Sequence, residues 1–405
     1  MNPTQSPQLS SRVLSVDALR GLDILVMIFV NDVVGVAAAP WWMKHFPPEQ
    51  SGMTFVDWVF PGFLFIVGMV IPIALKRRMD RGEPDWKIAV HVLIRTLGLL
   101  IVGVFMVNMP ADAEATGMPS NVWTLLVYLG VILVWNQTPC ESETARRIWM
   151  ILRAAGIVAL VVLAYLYRGK SDGQIVGMRT QWWGILGLIG WAYLVGCLCY
   201  VVLRGNLAAL VGAMAILYCL FAGDRAGLFS NWGWLRQKVD FGSMLGSHGA
   251  IVVSGVVLGR LLMPDSPAQS HTARIRTAIL FGLGMAAAGV LLQPIWGINK
   301  NAATPSWCLY CSAITCWIWA LLYWLMDMRG WVGWSRVIRP AGENPLMAYI
   351  LAPIFFALLK YLPTNFYGEL GQAGFWPGFL RSLVFAFFIV WVTGLLKRVR
   401  IWLKL

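Results

Sequence analysis

Along almost its whole length the chain alternates between long apolar runs and short polar stretches. A helix needs about 20 apolar residues to cross a bilayer, and these runs have that length. They predict spans near 21–39, 57–75, 88–107, 121–135, 148–167 and 182–203. Six more are predicted near 207–222, 247–263, 277–293, 306–326, 344–362 and 379–396. The expected fold is an all-α polytopic integral membrane bundle of about twelve (ten to twelve) transmembrane helices. Residues 1–20 read as a cytoplasmic N-terminal segment and 21–405 as a single membrane domain. The N-terminal stretch lacks the short h-region and small-residue cleavage site of a signal peptide, so the first span is expected to stay.

Composition narrows the class further. Of 405 residues, 59% are apolar and only 13% charged, against about 45–50% and 25% in soluble domains. Soluble, disordered and coiled-coil readings are excluded on those figures. The net charge of +13 invites a nucleic-acid partner, but its distribution argues otherwise. With the N-terminus inside, 21 of the 32 Lys and Arg fall at cytoplasmic ends, 10 fall outside, and Arg95 lies within a span. That is the positive-inside bias, so both termini are expected in the cytoplasm, with lipid and not nucleic acid as the partner. The seven cysteines avoid the predicted outer loops. Cys140 sits on a cytoplasmic connection, while Cys197, Cys199, Cys219, Cys308, Cys311 and Cys316 lie within helices. Cys308 and Cys311 have no partner pair at metal-ligand spacing, so neither disulfides nor a metal site are expected.

Polar residues concentrate at the predicted outer ends of several helices, where they are costly unless they face a cavity or a partner. Asn31 and Asp32 end the first span, and Trp41, Trp42, Lys44 and His45 follow in its loop. Thr54 and Asp57 open the second span and Asn108 closes the third. Asp240, Ser243, Ser247 and His248 precede or open the eighth, and Asn299, Lys300 and Asn301 precede the tenth. The chain has no metalloprotease, nucleophile-elbow, P-loop or dinucleotide motif. Histidine acid–base or nucleophilic chemistry, supported by carboxylates and amides, is what remains. His91 and His271 lie at cytoplasmic ends and read as headgroup-facing. His45, with Asp57 twelve residues on, is the leading candidate, and His248 is a candidate substrate contact. Arg20 pairs with Asp17 at i, i+3 in the simplest reading; Arg95 can snorkel; Asp23, inside an apolar run, needs a partner such as Arg20 or Arg95.

Taken in order, several segments carry a family resemblance. Arg12-Val13-Leu14-Ser15-Val16-Asp17-Ala18-Leu19-Arg20-Gly21, Met27-Ile28-Phe29-Val30-Asn31, His45, and Gly52-Met53-Thr54-Phe55-Val56-Asp57 through Gly68 resemble the heparan-α-glucosaminide N-acetyltransferase family and its bacterial NagX-like members. Asp240 with Leu245-Gly246-Ser247, Asn299-Lys300-Asn301 with Thr304-Pro305-Ser306, then Asp327, Gly330, Trp331, Gly342, Asn344 and Pro345 continue the likeness. The resemblance implies a transmembrane acyltransferase domain. It would move acetyl from cytoplasmic acetyl-CoA, as co-substrate, to a glucosamine-type amino sugar on the periplasmic side of a bacterial inner membrane. It maps the active histidine onto His45, with Asn31 and Asp57 beside it. Acetyl-CoA is anionic, so Arg20, Arg95 and the Lys76, Arg77, Arg78 cluster are candidates for its cytoplasmic mouth. Asp32, Asn108, Asp240, His248, Asn299, Lys300 and Asn301 are candidates for the acceptor side. His45 acts either as acetyl carrier or as general base, and both mechanisms remain open. The family's Gly-Val-Leu-Gln-Arg stretch is replaced by Gln181-Trp182-Trp183-Gly184-Ile185-Leu186-Gly187-Leu188, which leaves the acceptor open and makes 121–167 a candidate inserted hairpin. A sugar or lipid-linked-sugar transporter or flippase, O-acetylation of an envelope polysaccharide, and a homodimer stay open as alternatives.

Overall fold

A computed structural model describes residues 13–137 and 142–403; Arg12, the rest of the first twelve residues, and Cys140 fall outside that range. The chain is built from long helices: α1 (Leu14–Val33), α2 (Phe55–Met79), α3 (Asp85–Val107), α4 (Ser120–Trp135), α5 (Glu143–Leu166) and α6 (Ile185–Val202). Then come α7 (Leu207–Arg225), α8 (Phe241–Leu261), α9 (His271–Trp296), α10 (Pro305–Met328), α11 (Pro345–Leu359) and α12 (Phe375–Arg398). Every expected span overlaps one of them. Among the described residues nine of these helices are long and apolar enough to cross a membrane. α4 and α11 are apolar but shorter, and α1 carries Asp17, Arg20, Asp23 and Asp32.

Two local features depart from the sequence reading. α1 starts at Leu14, seven residues before the expected Gly21, because Asp327 at the end of α10 accepts the first amides, Leu14 N at 3.3 Å and Ser15 N at 3.1 Å. A distant carboxylate thus satisfies donors that a helix start leaves open. Between α5 and α6 the chain also forms an antiparallel hairpin, β1 (Gly169–Ser171) with β2 (Gln174–Val176). Asp172 and Gly173 turn it with φ of +52° and +77°, as a two-residue Asp-Gly loop requires.

The helices sort by burial into a centre and a rim. α2, α8 and α10 are mostly buried, whereas α5, α7 and α9 expose most of their apolar surface. The centre is held by a close α2–α8 crossing. A Cβ on Gly68 would stand 2.0 Å from Val252 O, and one on Gly255 would stand 2.0 Å from Phe65 O. Such small-residue contacts let two backbones touch, which drives helix association where lipid removes the hydrophobic advantage of larger side chains.

Polar contacts between connections gather at two opposite ends of α2. At its C-terminal end Lys76 lies 3.6 Å from Asp265, and Asp265 pairs with Arg260. At its N-terminal end lie His45 and Lys300. These are called here the Arg20 end and the His45 end.

Candidate active site

Asp57 organises the His45 end. It is the third residue of α2 and closes a capping box with Thr54, so helix initiation alone already fixes its carboxylate. Oδ2 accepts Thr54 N and Phe46 N, each at 3.0 Å, and Oδ1 lies 2.8 Å from Nδ1 of His45. Thr54 Oγ1 donates to Lys44 O at 2.8 Å, which fastens the loop that carries the histidine. Asp57 is 1% exposed, while the His45 side chain is 45% exposed. The dyad is therefore anchored from below and open above.

The geometry also assigns the tautomer. An ionised carboxylate is acceptor-only, so Nδ1 carries the proton that it donates to Oδ1. Lys300 Nζ stands 3.0 Å from Nδ1 and 3.4 Å from Nε2. The ammonium is thus within reach of both ring nitrogens. With Nδ1 protonated, Nε2 holds the ring's basic lone pair. The Lys300 pKa lies below the ordinary lysine value because burial disfavours the ammonium, an effect opposed by Asp57 at 3.7 Å.

The loop bearing Lys300 is zipped to the loop bearing His45. Gly52 N donates to Ile298 O and Ile298 N to Ser51 Oγ, both at 2.9 Å. Asn299 bonds Pro48 O through its amide at 2.5 Å and takes Ala302 N on its oxygen at 2.9 Å.

A cavity of about 820 Å³ begins at the Arg20 end. Arg20, Arg95, Arg153, Gln137, Glu343 and Trp402 form its polar rim, and Met27, Phe63, Val67, Leu99, Ile189 and Leu346 are among its apolar walls. On α2 it follows the stripe Ala74, Val70, Val67, Phe63, about 16 Å of rise at 1.5 Å per residue. Phe63 is six residues from Asp57, or about 9 Å. The cavity therefore climbs most of the way from a basic mouth toward the His–Asp pair. Arg95 stacks on Tyr193 at 4.8 Å, and its Nε has no hydrogen-bond partner among the described residues. Arg153 bonds Asn136 O at 3.2 Å. Glu343 is met by Arg339 and Lys397, which hold its pKa below the ordinary value although burial pushes it up.

The profile of the family described as "Domain of unknown function (DUF5009)" matches residues 12–232, more than half of the chain. The chain belongs to the DUF5009 family. Two curated relatives are similar over shorter stretches. Heparan-alpha-glucosaminide N-acetyltransferase of Mus musculus is 34% identical over 148 residues, 34% of this chain and 22% of the relative. The protein of the same name from Homo sapiens is 33% identical over 100 residues, 25% of this chain and 14% of the relative. The chain thus matches less than a quarter of the length of either.

The DUF5009 match contains His45, Asp57, Arg20, Arg95 and Arg153, and Lys300 lies beyond it. The other residues singled out in the sequence are distributed as follows. Asn31 is exposed one helical turn beyond Met27, on the α1 face that lines the cavity. Asp32 is taken up by protein: it accepts Tyr367 Oη at 2.8 Å, Ser382 Oγ at 2.6 Å and Arg381 at 2.9 Å. Asn108 bonds the backbone of Val104 and, on both sides of its amide, that of Arg179. Asp240 caps α8 through Ser243 N. His248 is buried against Phe60 and Trp307, about two turns below that cap. Asn301 is exposed beside Lys300.

The Lys76–Arg78 cluster does not line the cavity of this DUF5009 protein. Lys76 pairs with Asp80 and Asp265, and Arg78 with Glu83 at 2.7 Å. Asp23 is paired with neither Arg20 nor Arg95: Arg20 bonds Asp17 at 2.9 Å and Gly342 O. Asp23 instead faces α2 near Gly62, buried, with neither oxygen hydrogen-bonded among the described residues. Sequence reasoning missed Arg153, Gln137 and Trp402. The first reads as a flank of its span, and the other two meet the cavity only through tertiary folding.

Proposed function

We propose that this protein is a membrane-embedded acetyltransferase that passes the acetyl group of acetyl-CoA to the amine of a glucosamine-type amino sugar. The supporting observation is the cavity that leads from the arginine rim toward His45 and Asp57. A CoA ester is polyanionic at one end and neutral at the other. The arginines suit its phosphates, and the apolar walls between Ala74 and Phe63 suit its slender acyl-bearing arm. The names of the two relatives support the same chemistry.

In this reading the Arg20 end faces the cytoplasm, the His45 end faces the periplasm, and the bundle crosses a bacterial inner membrane twelve times. The Nε2 lone pair either attacks the thioester carbonyl or takes the proton of the attacking amine. Asp57 orients the ring and balances the positive charge that either role generates. Asn31, at the far end of the cavity face of α1, contacts the donor where it leaves the cavity. The acceptor amine approaches from the open side of His45.

The test is product formation by the purified full-length protein with acetyl-CoA and glucosamine, followed by mass spectrometry. N-acetylglucosamine from the wild type and none from His45→Ala is expected. Movement of the sugar across a membrane without acetyl-CoA, and no acetylated product, would instead identify a transporter.

A further inference from the structure

We infer that Lys300 is a catalytic residue of the His45 centre, donating a hydrogen bond to the oxyanion that forms on the acyl carbon; this rests on the acetyl-transfer reading above. The sequence presents Lys300 only as one of several polar outer residues. The structure separates it from the others. Its ammonium lies 3.0 Å from Nδ1 and 3.4 Å from Nε2, beside the atom that does the chemistry. A carbonyl carbon held at Nε2 carries its oxygen one bond further, within hydrogen-bond reach of Nζ. The Asp32 carboxylate is taken up by Arg381, Tyr367 and Ser382.

The lysine is fixed before any substrate arrives. The turn around it is closed by Asn299 N to Thr304 Oγ1 at 3.0 Å and by Ala302 N to Asn299 Oδ1 at 2.9 Å. Its side chain is 28% exposed, so the charge acts in partly excluded water, where a preoriented donor is most effective. The step balances without a further reagent. Attack by Nε2, or by the amine, forms the new bond to carbon and moves the carbonyl π pair onto oxygen. Lys300 holds that oxygen without losing its proton. Collapse restores C=O and expels the CoA thiolate with the C–S pair. On the Nε2 route the amine then attacks the acetyl carbon, the C–Nε2 pair returns to the ring as the amide forms, and on either route the proton lost by the amine goes to Nε2.

The experiment compares Lys300→Met and Lys300→Arg with wild type in steady-state acetyl transfer to glucosamine. Loss of the donor in Lys300→Met should lower kcat about 10²–10³-fold, with both KM values within about threefold. Lys300→Arg should retain more activity. The groups facing Lys300 are His45, Asp57 and Cys311. A protonated donor is lost as pH rises through its pKa, so the alkaline limb of kcat should move upward in Lys300→Arg. An unchanged kcat with a raised glucosamine KM in Lys300→Met would make Lys300 an acceptor contact and overturn the inference. If Lys300→Met does not fold, an unmoved limb in Lys300→Arg overturns it equally. Should the wild type transfer no acetyl group, the acetyl-transfer reading fails and takes this inference with it. Should wild type but not His45→Ala be active while Lys300→Met matches wild type, the inference alone fails.

Discussion

Replacing Asp57 by asparagine exchanges one oxygen for an NH₂ group and reverses one hydrogen bond. In the wild type Oδ2 accepts Thr54 N and Phe46 N at 3.0 Å, and Oδ1 accepts Nδ1–H at 2.8 Å. The asparagine oxygen must stay with the two backbone amides, which are fixed by the helix start. Its NH₂ group then points at Nδ1, and only an unprotonated Nδ1 can accept from it. The imidazole proton moves to Nε2, and the lone pair that does the chemistry is gone. Each bond to the backbone weakens from about 1.5–3 to about 0.5–1.5 kcal/mol, so the folded protein should lose about 2 kcal/mol. Turnover should fall much further, about 10³–10⁴-fold, as expected when a base is held in the wrong tautomer. CoA release from acetyl-CoA in the presence of glucosamine measures the rate. A thermal shift on adding CoA reports that the cavity is still formed. If Asp57→Asn binds CoA and keeps more than about a tenth of the wild-type rate, Asp57 is a helix cap only and the dyad has no catalytic role.

Replacing Arg20, Arg95 and Arg153 together by Gln should raise the KM for acetyl-CoA by at least about tenfold with little change in kcat. Neutralising Lys76, Arg77 and Arg78 should leave KM unchanged, since the structure keeps those residues off the cavity. Gly68→Leu places a side chain where a Cβ already meets Val252 O at 2.0 Å. Forced separation of α2 and α8 should destabilise the bundle by more than about 3 kcal/mol, measured as aggregation temperature in detergent, while Gly284→Leu, with open space around it, should be neutral. Glu343, held below its ordinary pKa by Lys397 and Arg339 against the effect of burial, stabilises the fold fully above about pH 4.5. That contribution is lost as pH falls through its folded pKa, so Glu343→Gln should flatten the acid limb of melting temperature against pH.

The helices were legible because the bilayer imposes a length on apolar runs, and each expected run falls on a helix. The start of α1 was not, because the residue that caps it, Asp327, lies more than 300 positions away in sequence. The hairpin at 169–176 had a signal, Asp172-Gly173 between short extended segments, but its eight residues contain no apolar run long enough to mark them. At the site, His45 and Asp57 could be paired from the sequence because a capping box fixes Asp57 and a short loop precedes it. Arg95 stood out as a charge within an apolar run. Arg153, ten residues into α5, resembled a cytoplasmic flank and meets the cavity beside Asn136 and Gln137, which pair with Leu403 and Trp402. Lys300 was visible as a polar residue, but its place beside the imidazole depends on two loops joined by Gly52 and Ile298. Asp23 shows the opposite case: its cost in an apolar run implied a partner, and α1 sets it beside Gly62 of α2, paired with neither arginine.

Transfer across the bilayer is the central claim, and sidedness tests it most directly. Proteoliposomes of uniform orientation, loaded with glucosamine on the His45 side, should form N-acetylglucosamine inside the lumen when acetyl-CoA is supplied only to the Arg20 side. Product that appears only when donor and acceptor share one side would contradict the account.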